Sequence, residues 1–238
     1  MLSSRFVRSD ISGPERLGKG RYADVNGYCE RASDPGLWAE PLNAATNVAF
    51  LIAAAAMWAP ARDLPPARLL CAILALIGLG SGLYHTLATP WAALADTLPI
   101  LAFILAYLYI ATRDFLDQSR AVATTLTLLM VPAMILTAPL FALLPLYGAS
   151  AAYMPVPVLI AVYAVLMIRR DRGTALNLAL GAGLLLLSLT FRSLDGPLCA
   201  ATHGIGTHLL WHLTNAVLLA WMIGTYLRHM LASVPPGR

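Results

Sequence analysis

The chain has 238 residues, 59% of them hydrophobic and only 12% charged, with a mean hydropathy of +0.71. A soluble domain carries about 25% charged residues, so this composition excludes an ordinary water-soluble protein and marks an integral membrane protein. The formal charge is +4, but the basic residues lie in the N-terminal tail and in short loops rather than on one patch, which argues for membrane orientation and against a nucleic-acid partner.

Residues 1–42 read as a polar extramembrane tail with balanced charge, six Arg or Lys against six Asp or Glu. No apolar core of a cleavable signal peptide is visible in it, so the first apolar run is expected to act as both targeting signal and first span. Spanning the hydrocarbon takes about 20 apolar residues per helix. Such runs occur at 43–60, 68–88, 91–112, 121–141, 153–169, 174–193 and 206–228. A membrane barrel would instead show alternating strands of about ten residues. The expected fold is therefore all-α, a bundle of seven transmembrane helices at 43–230 with a short tail at 231–238. Pro132, Pro139, Pro145, Pro155 and Pro157 cluster around the fourth and fifth spans and are expected at helix ends and kinks. No internal repeat is evident.

The loops set the orientation. Arg62 and Arg68 flank the first loop, Arg113 and Arg120 the third, Arg169, Arg170 and Arg172 fall in the fifth, and Arg228 begins the last tail. The loops at 88–91, 142–152 and 194–205 contain no Lys or Arg. The positive-inside rule then places the N-terminus outside and the C-terminus in the cytoplasm. The short loops suggest a bacterial inner membrane.

Against this background, Ser81, His85, Asp96, His208 and His212 stand out, because ionisable residues at membrane depth are costly. The second span runs outward, so His85 lies near its outer end. The third starts outside, so Asp96 reaches a similar depth. The seventh also starts outside, which places His208 and His212 in its first two turns. At i and i+4 the last two share one helical face. Three imidazoles are thereby offered to one ion, the ligand count of a catalytic zinc with an open position for water, whose pKa zinc lowers to about 7. Asp96 is best read as general base and acid, with a fourth ligand or an imidazole-orienting group as alternatives. Ser81, one turn before His85, is placed to donate to a developing oxyanion. A bis-histidine haem site is the competing metal reading, and hydrogen-bonded packing histidines are the bland one. His203 and His229 are read as structural. Gly78, Gly80 and Gly82 suggest close helix packing.

With these residues laid out, the chain resembles an alkaline ceramidase, within the superfamily of seven-helix membrane hydrolases that includes the adiponectin receptors. The resemblance rests on four blocks: Tyr28-Cys29-Glu30 with Glu40, Asn43 and Thr46-Asn47; Gly78-x-Gly-Ser81-x3-His85 running to Asp96-Thr-Leu-Pro99; Asp195-x3-Cys199; and His208-x2-Trp211-His212. It implies a zinc-dependent hydrolase that cleaves the amide of a ceramide-like membrane lipid to a sphingoid base and a fatty acid. His85, His208 and His212 would bind Zn2+, with Ser81 and Asp96 beside it. An outward N-terminus matches ceramidases and is opposite to the adiponectin-receptor branch. The resemblance also implies Ca2+ near the first span. Glu30 and Glu40 match its ligands, while Gly27 stands where the family has an acid and Ala32 where it has an amide. Asp24, Asn26 and Asp34 are the nearest substitutes, and pairing of the acids with Arg31 is the alternative.

Cys29 and Cys199 fall on the outer side, where disulfides form, and are expected to pair and pin the tail over the mouth of the site; two free thiols are the alternative. Cys71 begins the second span on the cytoplasmic side. A zinc hydrolase of another lipid amide or ester, and a seven-helix receptor with a structural metal, are the competing functions. A transporter fits poorly, because the polar residues gather at one end and no repeat accompanies them.

Overall fold

A computed structural model of the chain describes residues 28–31 and 36–232. Among them every regular element is helical: α1 (Pro41–Thr46), α2 (Val48–Trp58), α3 (Pro65–Leu87), α4 (Pro90–Ile110), α5 (Arg120–Ala142), α6 (Pro155–Met167), α7 (Arg172–Leu194) and α8 (His208–Ala232). A π-turn, Ala111–Phe115, extends α4, and a 3-10 turn, Gly148–Ser150, precedes α6. Taking α1 and α2 as one span, six helices are long and apolar enough to cross a membrane. The chain is a multi-pass membrane protein. The stretch expected at 153–169 forms a shorter helix, 13 residues in α6, which is about 20 Å of helix at 1.5 Å per residue. Turns at both of its ends carry the chain further.

Local chemistry sets the boundaries. Prolines open α1, α3, α4 and α6, where a missing N–H costs nothing. The Ser119 side chain caps α5 by accepting from Val122 N. Asp171 caps α7, accepting from the N–H and hydroxyl of Thr174. These bonds, the Thr174 hydroxyl first, hold its carboxyl down to about 2. The same carboxylate pairs with His229 at 3.0 Å, which ties the end of α8 to the start of α7. The contacts of His229 with Asp171 and Thr174 are those of a packing residue.

The first span is broken rather than continuous. Asn47 sits between α1 and α2, and its side chain donates to Asn43 O. Both residues are buried. Pro132 and Pro139 lie inside α5 and Pro99 inside α4, whereas Pro155 opens α6.

The core runs along α2, α3, α4, α6 and α8, through Phe50, Leu74, Ile77, Phe103, Tyr163 and Ile223. Helix α5 is peripheral, with only Ala123 and Met130 buried. Its Leu136 is 78% exposed, an apolar surface suited to lipid rather than water. Trp38 and Trp91 are exposed at one end of the bundle and Trp58 at the other, the places where aromatic belts form.

Two glycines fix the closest helix contact. A Cβ on Gly80 would overlap the Ala95 carbonyl of α4, and one on Gly78 would crowd Phe50 and Asn47 of the first span. Gly82 has no such neighbour; the nearest atom is Asn47 Cβ at 3.9 Å. Close packing therefore holds for the first two glycines and not for the third.

Candidate metal centre

Two residues, Ala88 and Thr89, separate α3 from α4. Ala88 ends α3 in the left-handed conformation, φ 47°, and Pro90 restarts the chain as the antiparallel α4. This tight reversal brings Ser81 and His85 alongside Asp96. The first two turns of α8 add His208 and His212. All five side chains are buried.

The three histidines form one cluster, with one ring nitrogen from each lying within 4.8 Å of the others. Their ring centroids are 4.6–5.1 Å apart. Nε2 of His85, Nε2 of His212 and both ring nitrogens of His208 are buried without a hydrogen-bond partner. A buried polar atom left unpaired costs roughly 1–3 kcal/mol, and several at one point are hard to sustain. A shared cation removes that cost, and an all-imidazole donor set suits zinc. The residues fit the expected metal.

The remaining nitrogens of two of these histidines are held from the first span and the residue just before it. Glu40 Oε2 accepts from Nδ1 of His85 at 2.5 Å. Thr46 Oγ1 lies 2.9 Å from Nδ1 of His212 and itself donates to Leu42 O and Asn43 O. Each Nδ1–H is thereby engaged, which leaves Nε2 turned inward, the usual arrangement behind metal-bound histidine. Burial opposes charge on Glu40, but hydrogen bonds from His85, Arg31 and Asn43 outweigh it and hold the carboxyl below its ordinary range.

His208 is held by stacking. Tyr28 lies on it at 3.7 Å between centroids and Trp211 at 5.0 Å. Burial drives the Tyr28 phenol far above its ordinary range, Arg192 pulls it back, and Asp96 adds to the rise. Tyr28 is thus a neutral hydroxyl within electrostatic reach of both charges. The Cys29–Cys199 disulfide anchors this segment, with Cα atoms 5.4 Å apart, so the expected pin over the site is present. Asp195 reinforces it. Its carboxylate accepts from Cys29 N, Thr207 N and His208 N at 2.8–2.9 Å. It caps α8, which has no acidic residue of its own in the first turn, and places a negative charge at a helix N-terminus.

Ser81 Oγ and Asp96 Oδ1 are also buried and unpaired. Asp96 lies outside the three-histidine cluster. A cavity of about 100 Å³ begins at Phe50, Trp211 and Tyr153 and continues between apolar side chains such as Ile104, Leu159 and Leu218. Phe50 touches both this cavity and His212, with rings 6.0 Å apart. Apolar space therefore adjoins the polar centre.

The carboxylates expected at calcium have other partners. Glu30 accepts from Leu42 N and Asn43 N and caps α1. Glu40 accepts from Arg31 Nε, His85 Nδ1 and Asn43 Nδ2. All four oxygens face nitrogen donors, and one of these is a buried guanidinium. Calcium requires six to eight oxygens, and the described residues do not fit it. Asp24, Asn26, Gly27, Ala32 and Asp34 lie outside the described residues.

Sequence reading missed the roles of Glu40, Thr46, Tyr28 and Asp195. All four stand in the motif blocks, but their contacts to the histidine cluster run from 13 residues apart for Asp195 to 166 for Thr46, and further still for Tyr28 on His208.

The family model for ceramidases, described simply as "Ceramidase", matches residues 28–235. This chain belongs to the ceramidase family. Membership makes it a hydrolase acting on amide bonds, and a membrane-embedded body is consistent with a lipid substrate. The matched stretch begins at Tyr28, where the described structure also begins to build the site. A search of curated protein sequences returns no match.

Proposed function

We propose that this ceramidase-family protein is a zinc-dependent intramembrane amidase that hydrolyses ceramide to a sphingoid base and a fatty acid. The observation that carries this reading is the cluster of unpaired imidazole nitrogens from His85, His208 and His212, with unpaired Ser81 and Asp96 beside it.

The three histidines would hold zinc through their inward nitrogens, with His85 and His212 oriented by Glu40 and Thr46. Zinc bound there would supply Lewis acidity toward the amide carbonyl and would acidify a water. Asp96 takes a proton from the attacking water as its oxygen adds to the carbonyl carbon. It then delivers that proton to the amide nitrogen as the C–N bond breaks. Ser81 Oγ–H donates to the carbonyl oxygen as negative charge grows on it. The apolar cavity receives hydrocarbon and leaves the amide at the polar centre, and Tyr28 with the disulfide-anchored segment limits access of bulk water.

Orientation supports a substrate met from the outer leaflet. The Arg-bearing loops lie at the end of the bundle away from the histidines, and the disulfide lies at the histidine end. That arrangement suits a bacterial inner membrane with the site facing the periplasm.

The test combines metal analysis of the purified protein with mass spectrometry of products from mixed ceramides. Zinc near one per chain, with sphingoid base released by the wild type and not by His85→Ala, is expected. Protein without zinc, or His85→Ala retaining both zinc and hydrolysis, would sink the proposal.

A further inference from the structure

Arg31 is 2% exposed and sits beside Glu40 and His85, which are equally buried. In its guanidinium, Nε donates to Glu40 Oε1 at 2.5 Å, Nη1 to Gly36 O at 3.2 Å and Nη2 to the main-chain oxygen of His85 at 3.1 Å. A buried charge is tolerated only when it is paired and hydrogen-bonded, and this one meets both conditions. The planar fork of arginine allows one side chain to clamp a carboxylate and two carbonyls together. The groups it gathers, a carboxylate and main-chain carbonyls, are the oxygen types that a hard divalent cation selects.

The consequence runs to the metal centre through one residue. Glu40 offers Oε1 to Arg31 and Oε2 to Nδ1 of His85. The guanidinium fixes the carboxylate, and the carboxylate fixes the imidazole. A second cation on Glu40 would have to displace Arg31 or accept its repulsion at close range. Glu30, the other acid of the motif, has both oxygens on the N–H groups that start α1. Its capping role needs no metal.

We propose that Arg31 is a built-in cation: its guanidinium stands against Glu40 where the family resemblance implies calcium, holds that carboxylate on His85, and leaves the protein independent of calcium. Arg31 is a positioning residue that acts through Glu40. This inference rests on the zinc reading only for its effect on His85. The proposed independence of calcium stands apart from it and can be tested alone.

The experiment uses the full-length zinc-loaded protein in detergent. Equilibrium dialysis with radiolabelled calcium and a melting curve across a calcium titration report calcium binding without reference to hydrolysis. No stoichiometric calcium and an unchanged melting temperature are expected. One calcium bound per chain, or a melting temperature that climbs with calcium, overturns the proposal even if the protein is a zinc ceramidase. In parallel, Arg31→Gln should lower zinc affinity about 10-fold or more, as loss of support behind a metal ligand typically does. It should reduce kcat more than it raises KM, and Arg31→Lys should recover part of the loss. An Arg31→Gln protein with wild-type zinc affinity and kcat also refutes the positioning role. Should that variant fail to fold, the wild-type calcium measurements decide the matter.

Discussion

Glu40 and His85 stand 45 residues apart in sequence and share a 2.5 Å hydrogen bond between Oε2 and Nδ1. The bond joins the chain segment before α1 to the last turn of α3. It makes the basicity of a metal-facing imidazole depend on a residue outside the membrane span. Glu40→Gln keeps the shape and removes the charge. Zinc affinity should fall about 10–100-fold, measured by competition with a chromogenic chelator. Unchanged affinity would mean that Glu40 serves only to pair Arg31.

In the proposed mechanism Asp96 carries the proton and does not bind the metal. Asp96→Asn should therefore keep zinc at the wild-type ratio while lowering kcat by about 10²–10⁴-fold, the usual contribution of a positioned acid–base group. Product release followed by mass spectrometry, with zinc content measured on the same sample, separates the roles. Loss of zinc together with activity would assign Asp96 to the metal.

Asp195 satisfies three main-chain N–H groups from two distant segments. Asp195→Ala strands all of them in a buried site. At about 1.5–3 kcal/mol per hydrogen bond to a charged group, the loss should exceed about 3 kcal/mol and appear as a large drop in melting temperature. Asp195→Asn, which keeps one acceptor oxygen, should fall between.

Gly80 lets α3 touch α4 one residue from both Ser81 and Asp96. Gly80→Ala should cost roughly 1–3 kcal/mol, the range for overpacking, and should lower activity by separating the two helices. Gly82→Ala is the control. Its new Cβ meets nothing closer than 3.9 Å, and the gain in helix propensity of up to about 1 kcal/mol predicts equal or better stability. Similar behaviour of the two variants would count against the α3–α4 contact as the positioning device.

Reduction of the Cys29–Cys199 bond, or Cys29→Ser, should destabilise the protein by about 2–4 kcal/mol. Activity should decline as Tyr28 loses its anchor over His208. Melting curves with and without reductant, with Cys29→Ser as the reductant-insensitive reference, measure both effects.

Much of this architecture is legible in the sequence because the bilayer leaves few options. A span needs a fixed length of apolar residues, so the helices fall within a few residues of their expected places. His85 and Asp96 meet because the turn between their helices is short, and His208 and His212 meet by helical periodicity. Those contacts follow from local geometry. Glu40 on His85, Thr46 on His212 and Asp195 on α8 do not, because each depends on how the tail and outer loops fold back over the bundle. Periodicity carries no information about that path. The break at Asn47 escaped for a related reason: hydropathy is continuous through it, and only the hydrogen bond of its side chain to Asn43 O marks the change. The calcium expectation rested on residue types at two positions, whereas Glu40 pairs with the arginine between them and Glu30 caps α1.

The link between Thr46 and His212 spans 166 residues, and the disulfide spans 170. The first joins the beginning of the described chain to its final helix, and the second joins it to the loop just before that helix. During synthesis, a polypeptide that has inserted every earlier helix still lacks His208 and His212, two of the three clustered imidazoles. On the proposed function, the nascent protein is therefore inert toward the lipids around it until its last span enters the bilayer.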